Sequence, residues 1–200
     1  EWEHIRALQA PDTEVDSAIV RLVADALIGN LLDAGTGTGQ MLELLASHVK
    51  HAVGVDMSPE MLAIARERVA KFSHMQVRLA DAYRLPFSNG TSLQGFDVVL
   101  FHQVLHFLDD PQAAVIEAAR VLKPGGRVLI ADFAPHELEF LRSDYAHRRL
   151  GFSDKEVEGW FEAAHLKPQA SEAIAPKTGG KLTVKIWLAQ SASARAREAA

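Results

Sequence analysis

The sequence predicts an α/β protein built on a doubly wound, mostly parallel sheet. Three observations carry this. Short apolar runs alternate with longer segments whose apolar residues recur at helical spacing. Runs such as Leu31–Ala34 stop at glycines, as buried strands do. Near the end of the chain the period changes to two, which adds an antiparallel strand.

The elements follow in order. Val15, Ile19, Leu22, Val23, Ala26 and Leu27 share a face, so Asp16 to Ile28 reads as an amphipathic helix. Leu31-Leu32-Asp33-Ala34 is the first strand. Met41, Leu42, Leu44, Leu45 and Val49 return to helical spacing. Ala52 to Asp56 is the second strand, and Ser58-Pro59-Glu60 opens the next helix with a capping hydroxyl, a first-turn proline and an acid at the positive end of the dipole. Gln76 to Leu79 and Phe96 to Phe101 are further strands. Asp109-Asp110-Pro111 starts a helix to Leu122, stopped by Lys123-Pro124-Gly125-Gly126. Arg127 to Phe133 is a fifth strand. His136 to Arg149 and Asp154 to His165 read as helices. Thr178-Gly179-Gly180-Lys181 reads as a hairpin turn, and Leu182, Val184, Ile186 and Leu188 alternate with Thr183, Lys185 and Trp187. Residues 1–13 form an N-terminal flap, 14–190 the body, and 191–200 a flexible tail.

Composition bounds the function. The chain has 200 residues, enough for one domain with its own core. It holds no cysteine, which removes disulfide scaffolds, thiolate zinc sites and cysteine nucleophiles. The net charge of -5 disfavours non-specific binding to nucleic acid or anionic lipid. No apolar run reaches the roughly 18 residues of a membrane span, and no signal peptide opens the chain. A cytoplasmic location is expected. The start at Glu1 instead of Met suggests excision from something longer. No His/Asp/Glu spacing suggests a metal site.

The central signal is Leu32-Asp33-Ala34-Gly35-Thr36-Gly37-Thr38-Gly39-Gln40, between a strand and a helix. In an open parallel sheet ligands bind at the carboxyl ends of strands, where this loop sits. A dinucleotide loop wants glycine at the place of Gln40 and a pyrophosphate beside it, and Asp33 would repel that phosphate. A NAD-dependent oxidoreductase is therefore the weaker reading. Asp33 suits a ligand with positive charge and no phosphate, such as S-adenosylmethionine. Asp56 ends the second strand 23 residues later, placed to accept from ribose hydroxyls, and Asp81 ends the third, placed to accept from an exocyclic amine.

Asp-Ala-Gly-Thr-Gly-Thr-Gly, Gly-Val-Asp-Met-Ser-Pro-Glu-Met-Leu, Asp-Ala, Phe-Asp-Val-Val-Leu and Val-Leu-Lys-Pro-Gly-Gly-Arg-Val occur in that order. Together they resemble a class I S-adenosylmethionine-dependent methyltransferase, similar to the ubiquinone and menaquinone biosynthesis branch. The resemblance implies a Rossmann-like sheet of seven strands with the last antiparallel. It implies that the loop of Asp33, Ala34, Gly35, Thr36, Gly37 and Gly39 faces the methionine part of the donor and that Asp56 holds the ribose. Met57 would pack on the adenine, Asp81 and Ala82 would read its edge, and His102 and Gln103 would lie by the methyl group and the acceptor. S-adenosylhomocysteine would be the product.

A narrower resemblance rests on Glu1-Trp2-Glu3-His4-Ile5-Arg6, on His136 to Arg142 and on His147 to Phe152. These segments are similar to the methyltransferase half of bacterial proteins that carry an arsenic-sensor-type winged-helix repressor domain upstream. That implies a fused or associated winged-helix regulator, and, as an alternative function, a non-catalytic donor-binding regulatory domain. Without cysteine the domain is not expected to methylate arsenic.

Methyl transfer is an in-line displacement that depends above all on alignment. A base is needed only when the nucleophile arrives protonated, and His102 is the candidate. His106 is expected to pack at the start of the next helix. No Asn-Pro-Pro-Tyr or Asp-Pro-Pro-Tyr follows the fourth strand, so base and glutamine amino groups are not the expected acceptors; a small molecule is.

Overall fold

The computed structural model describes residues 12–176 and 180–193. The strands are β1 (Ile28–Ala34), β2 (Val49–Asp56), β3 (Met75–Leu79), β4 (Phe96–His102), β5 (Leu122–Phe133), β6 (Leu166–Ile174) and β7 (Val184–Ser191). The helices are α1 (Asp12–Val23), α2 (Gln40–Leu44), α3 (Pro59–Val69), α4 (Pro111–Val121), α5 (Phe140–Tyr145) and α6 (Asp154–Ala163), with 3-10 turns at Ala46–His48 and Leu105–Phe107. The strands form one seven-stranded sheet in the order β3-β2-β1-β4-β5-β7-β6. The first five are parallel to one another, while β7 runs antiparallel to both β5 and β6. The doubly wound sheet and its antiparallel last strand are as expected.

Side chains alternate across the sheet, so each central strand feeds two cores. Leu31, Val98, Leu100, Leu129 and Ile186 point to one face, where Val15 and Ile19 of α1 and Met41 and Leu42 of α2 cover them. Leu32, Val99, Phe101, Ile130 and Trp187 point to the other, under Val115 and Ala118 of α4 and Val157 and Phe161 of α6. Helix starts are capped as the sequence indicated: Ser58 accepts from Met61 N–H and Asp110 from Ala113 N–H. Ser153 and Glu156 add a capping box at α6.

Several boundaries differ from expectation. The first helix runs Asp12–Val23, four residues earlier than the reading from Asp16, and Ile28 opens β1 beside Val49. Arg127 stops it: its guanidinium donates to Leu22 C=O at 3.3 Å and Val23 C=O at 2.9 Å, satisfying carbonyls the helix leaves free. Asp12 and Thr13 are therefore helical, and the rest of the flap, residues 1–11, lies outside the described residues. The helix after the glycine loop ends at Leu44, and Val49 already belongs to β2.

The Lys123–Gly126 stretch does not separate helix from strand, because β5 begins at Leu122 directly after α4. Gly125 sits at φ +76° and donates to Ala192 C=O at 2.9 Å. The expected helix over His136 to Arg149 shrinks to α5. Ala146 at φ +58° closes it, and His147 N–H returns to Leu141 C=O at 3.0 Å. In β7 the alternation does not mark an exposed face. Trp187 is buried with Ile186 and Leu188, because both faces of this strand are covered. Part of the Thr178–Lys181 turn and most of the tail, residues 194–200, lie outside the described residues.

Candidate active site

The carboxyl ends of β1, β2 and β4 meet at the glycine loop and open on a cleft of about 800 Å³. A smaller cavity of about 400 Å³, between Asn30, His51 and Phe87, lies away from those strand ends. The first glycine of the loop is required sterically. Gly35 has φ +80°, and a Cβ there would stand 2.4 Å from Val104 Cγ2. The amides of Gly35 and Thr36 both donate to Val55 C=O, at 2.8 and 2.9 Å, so the turn is pinned to β2.

Asp33 is 1% exposed at the end of β1. Thr36 Oγ1 donates to its Oδ2 at 2.6 Å. Its Oδ1 is buried with no hydrogen-bond partner. Burial pushes the Asp33 carboxyl up to about 7; the Thr36 bond pulls it down and the Asp56 charge pushes it up again. A buried carboxylate oxygen on a cleft wall, short of a donor, calls for a cationic hydrogen-bonding group in the ligand.

Asp56 ends β2 with both oxygens anchored. Oδ2 accepts from Gly37 N–H and Oδ1 from Ser58 N–H, each at 2.9 Å. Each oxygen keeps a further lone pair. Met57, beside it, is 63% exposed, an uncovered apolar side chain on the cleft wall. Asp81 follows β3 and accepts from Tyr83 N–H at 2.9 Å, with Ala82 also on the wall.

His102 is the last residue of β4 and lines the cleft. Burial lowers its pKa to about 4, with Asp132 and Asp12 pulling upward and His106 downward. The imidazole is neutral at pH 7. Gln103 follows at φ +51°, in the left-handed region, with its N–H on Ala131 C=O at 2.7 Å. Strain at a strand end beside a cleft is where function stores it.

The cleft thus gathers Asp33, Gly35, Thr36, Gly37, Asp56, Met57, Asp81, Ala82, His102 and Gln103 from the sequence-predicted set. Two members are elsewhere. Ala34 is fully buried in the core, and Gly39 starts α2, where a Cβ would press on Ala65 at 3.2 Å. Sequence reasoning missed Thr38, Met61, Ile64, Arg68, Phe107 and Leu108 on the walls. Ile64 and Arg68 are one turn apart on α3, a spacing that could have flagged them. It also missed the contact between Asp132 and His106, which bonds Nδ1 to Oδ1 at 2.7 Å.

Among the described residues, the carboxyl groups of Asp12, Asp33, Asp56 and Asp81 face one guanidinium, Arg68, along the cleft wall. That field disfavours a pyrophosphate and favours a cation. The residues fit S-adenosylmethionine, which carries an ammonium and a sulfonium and no phosphate. Among the described residues no group of histidines and acids is arranged to hold a metal ion.

Comparison with known proteins agrees. Residues 32–130 match the family model described as "Methyltransferase domain". A demethylmenaquinone methyltransferase of Tropheryma whipplei is 36% identical over 154 residues, covering 68% of this chain and 62% of that protein. A ubiquinone/menaquinone biosynthesis C-methyltransferase of Desulfotalea psychrophila is 35% identical over 119 residues, 58% of this chain and 46% of that protein. The chain therefore spans about half to two thirds of the length of these relatives. Among solved structures, the N-methyltransferase NodS of Bradyrhizobium japonicum, in complex with S-adenosylhomocysteine, has the same fold. It superposes with a TM-score of 0.73 at 18% identity, over 90% of this chain and 87% of that one; a second NodS structure gives 0.74 at 19% identity, over 91% and 97%. The motif order, the strand-end acids and these matches make the chain a member of the S-adenosylmethionine-dependent methyltransferase family.

Proposed function

We propose that this chain binds S-adenosylmethionine in the cleft and catalyses transfer of its methyl group to a small-molecule acceptor. The observation that carries the reading is Asp33, a buried carboxylate with one oxygen held by Thr36 and the other unpartnered. The donor, when bound, supplies a methyl group activated on a sulfonium. The chain supplies everything else. Asp33 accepts from the ammonium, Asp56 from the ribose hydroxyls, and Asp81 with Ala82 meets the adenine edge over Met57. The left-handed Gly35 and Gly37 let the backbone approach the ligand closely.

The acceptor side is bounded by His102, Gln103, Val104, Phe107 and Leu108. A volume of about 800 Å³ lies in the range of small-molecule sites. The chain's negative charge and the acidic cleft speak against nucleic acid. Catalysis rests on alignment of nucleophile, methyl and sulfonium. His102 is the base where the acceptor arrives protonated; burial keeps its imidazole neutral at pH 7 with a lone pair to offer, and the pKa of about 4 makes it a weak base. No described helix is long and apolar enough to cross a membrane, and we place the reaction in the cytoplasm.

The test is substitution of His102. In His102→Ala, turnover drops about a hundredfold while S-adenosylhomocysteine affinity stays within about threefold. Equal kcat in the two proteins removes the base. Donor binding without methylation of any small molecule in a bacterial extract turns the reading towards a regulatory domain working with a winged-helix repressor.

A further inference from the structure

Beyond the cleft wall lies a buried polar cluster that methyl transfer, as derived above, does not use. Asp132, at 0% exposure on β5, is bonded three times. Its Oδ1 accepts from His106 Nδ1 at 2.7 Å and from Phe133 N–H at 2.8 Å, and its Oδ2 accepts from His106 N–H at 3.4 Å. His106, 1% exposed, lies in the 3-10 turn Leu105–Phe107. One carboxylate therefore holds both the backbone and the ring of a single turn residue. The opposite side is held too. His106 C=O accepts from Arg148 N–H at 2.9 Å and Arg149 N–H at 3.1 Å, and its ring stacks on His147 at 4.1 Å.

This turn is the acceptor-side wall. Val104 packs against Gly35 of the glycine loop, and Phe107 and Leu108 line the cleft. The turn is reached through the strained Gln103, so local preference does not hold it. Asp132 follows Ala131, which pairs with His102 across β4 and β5. The same strand end thus carries the register partner of His102 and the anchor of the wall.

We propose that Asp132 and His106 are positioning residues: the Nδ1–H···carboxylate bond fixes the Val104–Leu108 wall against which the acceptor is aligned, and neither residue touches the donor. The inference deepens the methyl-transfer reading and rests on it. The bond donates from a neutral or charged imidazole to a buried carboxylate, a class of hydrogen bond whose loss changes rates by about tenfold or more when alignment depends on it. His106 Nε2 is buried and unpartnered, so the ring's only hydrogen bond among the described residues is the one from Nδ1 to Asp132.

The experiment compares His106→Asn with His106→Phe. The Asn amide nitrogen stands near the place of Nδ1 and keeps the donor to Asp132; Phe keeps the ring and its stack and loses the donor. Methyl transfer from tritiated S-adenosylmethionine to the small-molecule fraction of a bacterial extract is measured with each. S-adenosylhomocysteine affinity and hydrogen exchange of the 104–108 amides are measured beside it. Positioning predicts His106→Asn within about threefold of wild-type turnover and His106→Phe down by about tenfold or more, both binding S-adenosylhomocysteine within about threefold of wild type. Amide exchange at 104–108 rises in His106→Phe and Asp132→Asn and stays slow in His106→Asn. An active Phe variant with an inactive Asn variant overturns the proposal in favour of ring packing. Loss of both, with a changed acid limb of the pH profile, overturns it in favour of proton transfer at His106. If wild type transfers no label, the methyl-transfer reading fails; slow wall exchange in His106→Phe overturns the positioning claim separately.

Discussion

Thr36 donates its hydroxyl to one oxygen of Asp33 at 2.6 Å, and the other oxygen of that buried carboxylate has no partner. A carboxyl held up to about 7 is mostly protonated below that pH and ionised above it. For the ligand-free fold the shift is unfavourable, and stability falls as pH rises from 3.8 towards about 7. A ligand ammonium reverses the sign, because it binds the ionised form and expels the proton. S-adenosylhomocysteine should therefore bind about tenfold more tightly at pH 8 than at pH 6. Calorimetry in buffers of different ionisation enthalpy should show proton release at pH 6. Asp33→Asn should flatten the profile and bind about tenfold or more weakly at pH 8.

Gly35 and Gly37 separate steric from conformational need. Both have positive φ, at +80° and +51°. A Cβ at Gly35 would overlap Val104 Cγ2, while one at Gly37 meets nothing within 4 Å. Gly37→Ala should cost the ligand-free fold only the left-handed preference, about 1 kcal/mol. Gly35→Ala should lose about 3 kcal/mol or more and push Val104 from the acceptor wall. Denaturant unfolding of the two variants checks the difference.

Acid should loosen the segment around α5. His147 is 3% exposed and stacked on His106, and burial lowers its pKa to about 4, with the His106 charge lowering it further. The unfolded chain protonates this residue near 6.5 and the folded one does not until about 4. Its contribution is present above 6.5 and is lost as pH falls towards 4. His147→Phe keeps the stack and removes the titration. Between pH 7 and pH 5 it should lose about 2 kcal/mol less stability than wild type. Equal losses in thermal unfolding would show that other histidines, His102 first, carry the acid sensitivity.

Much of this arrangement was legible in the chain because its signals are local. Asp33, the glycines and Asp56 announce themselves by lying where an apolar run meets a turn, and a strand end is where a parallel sheet binds ligands. The caps at Ser58 and Asp110 are three-residue signals. What was hidden depends on distant partners. Arg127 ends α1 from 104 residues away. Asp132 and His106 are 26 residues apart on different elements, and neither sits in a motif that names the other. Helical spacing over His136 to Arg149 was overruled where the 134–151 segment wraps against the acceptor wall. There His136 N–H bonds Leu150 C=O at 3.1 Å and the backbone at 148 and 149 bonds His106. The alternation over Leu182 to Leu188 marked the strand correctly, while the burial of Trp187 depends on covers for both faces of β7 that come from distant elements.

The most direct measurement of the central claim is label transfer. Purified protein is incubated with tritiated S-adenosylmethionine and the small-molecule fraction of a bacterial extract, with Asp56→Ala run beside it. The account predicts label in a new small molecule, S-adenosylhomocysteine in equal amount, and neither with Asp56→Ala. Label that stays on the donor, or transfer that Asp56→Ala leaves intact, would contradict it.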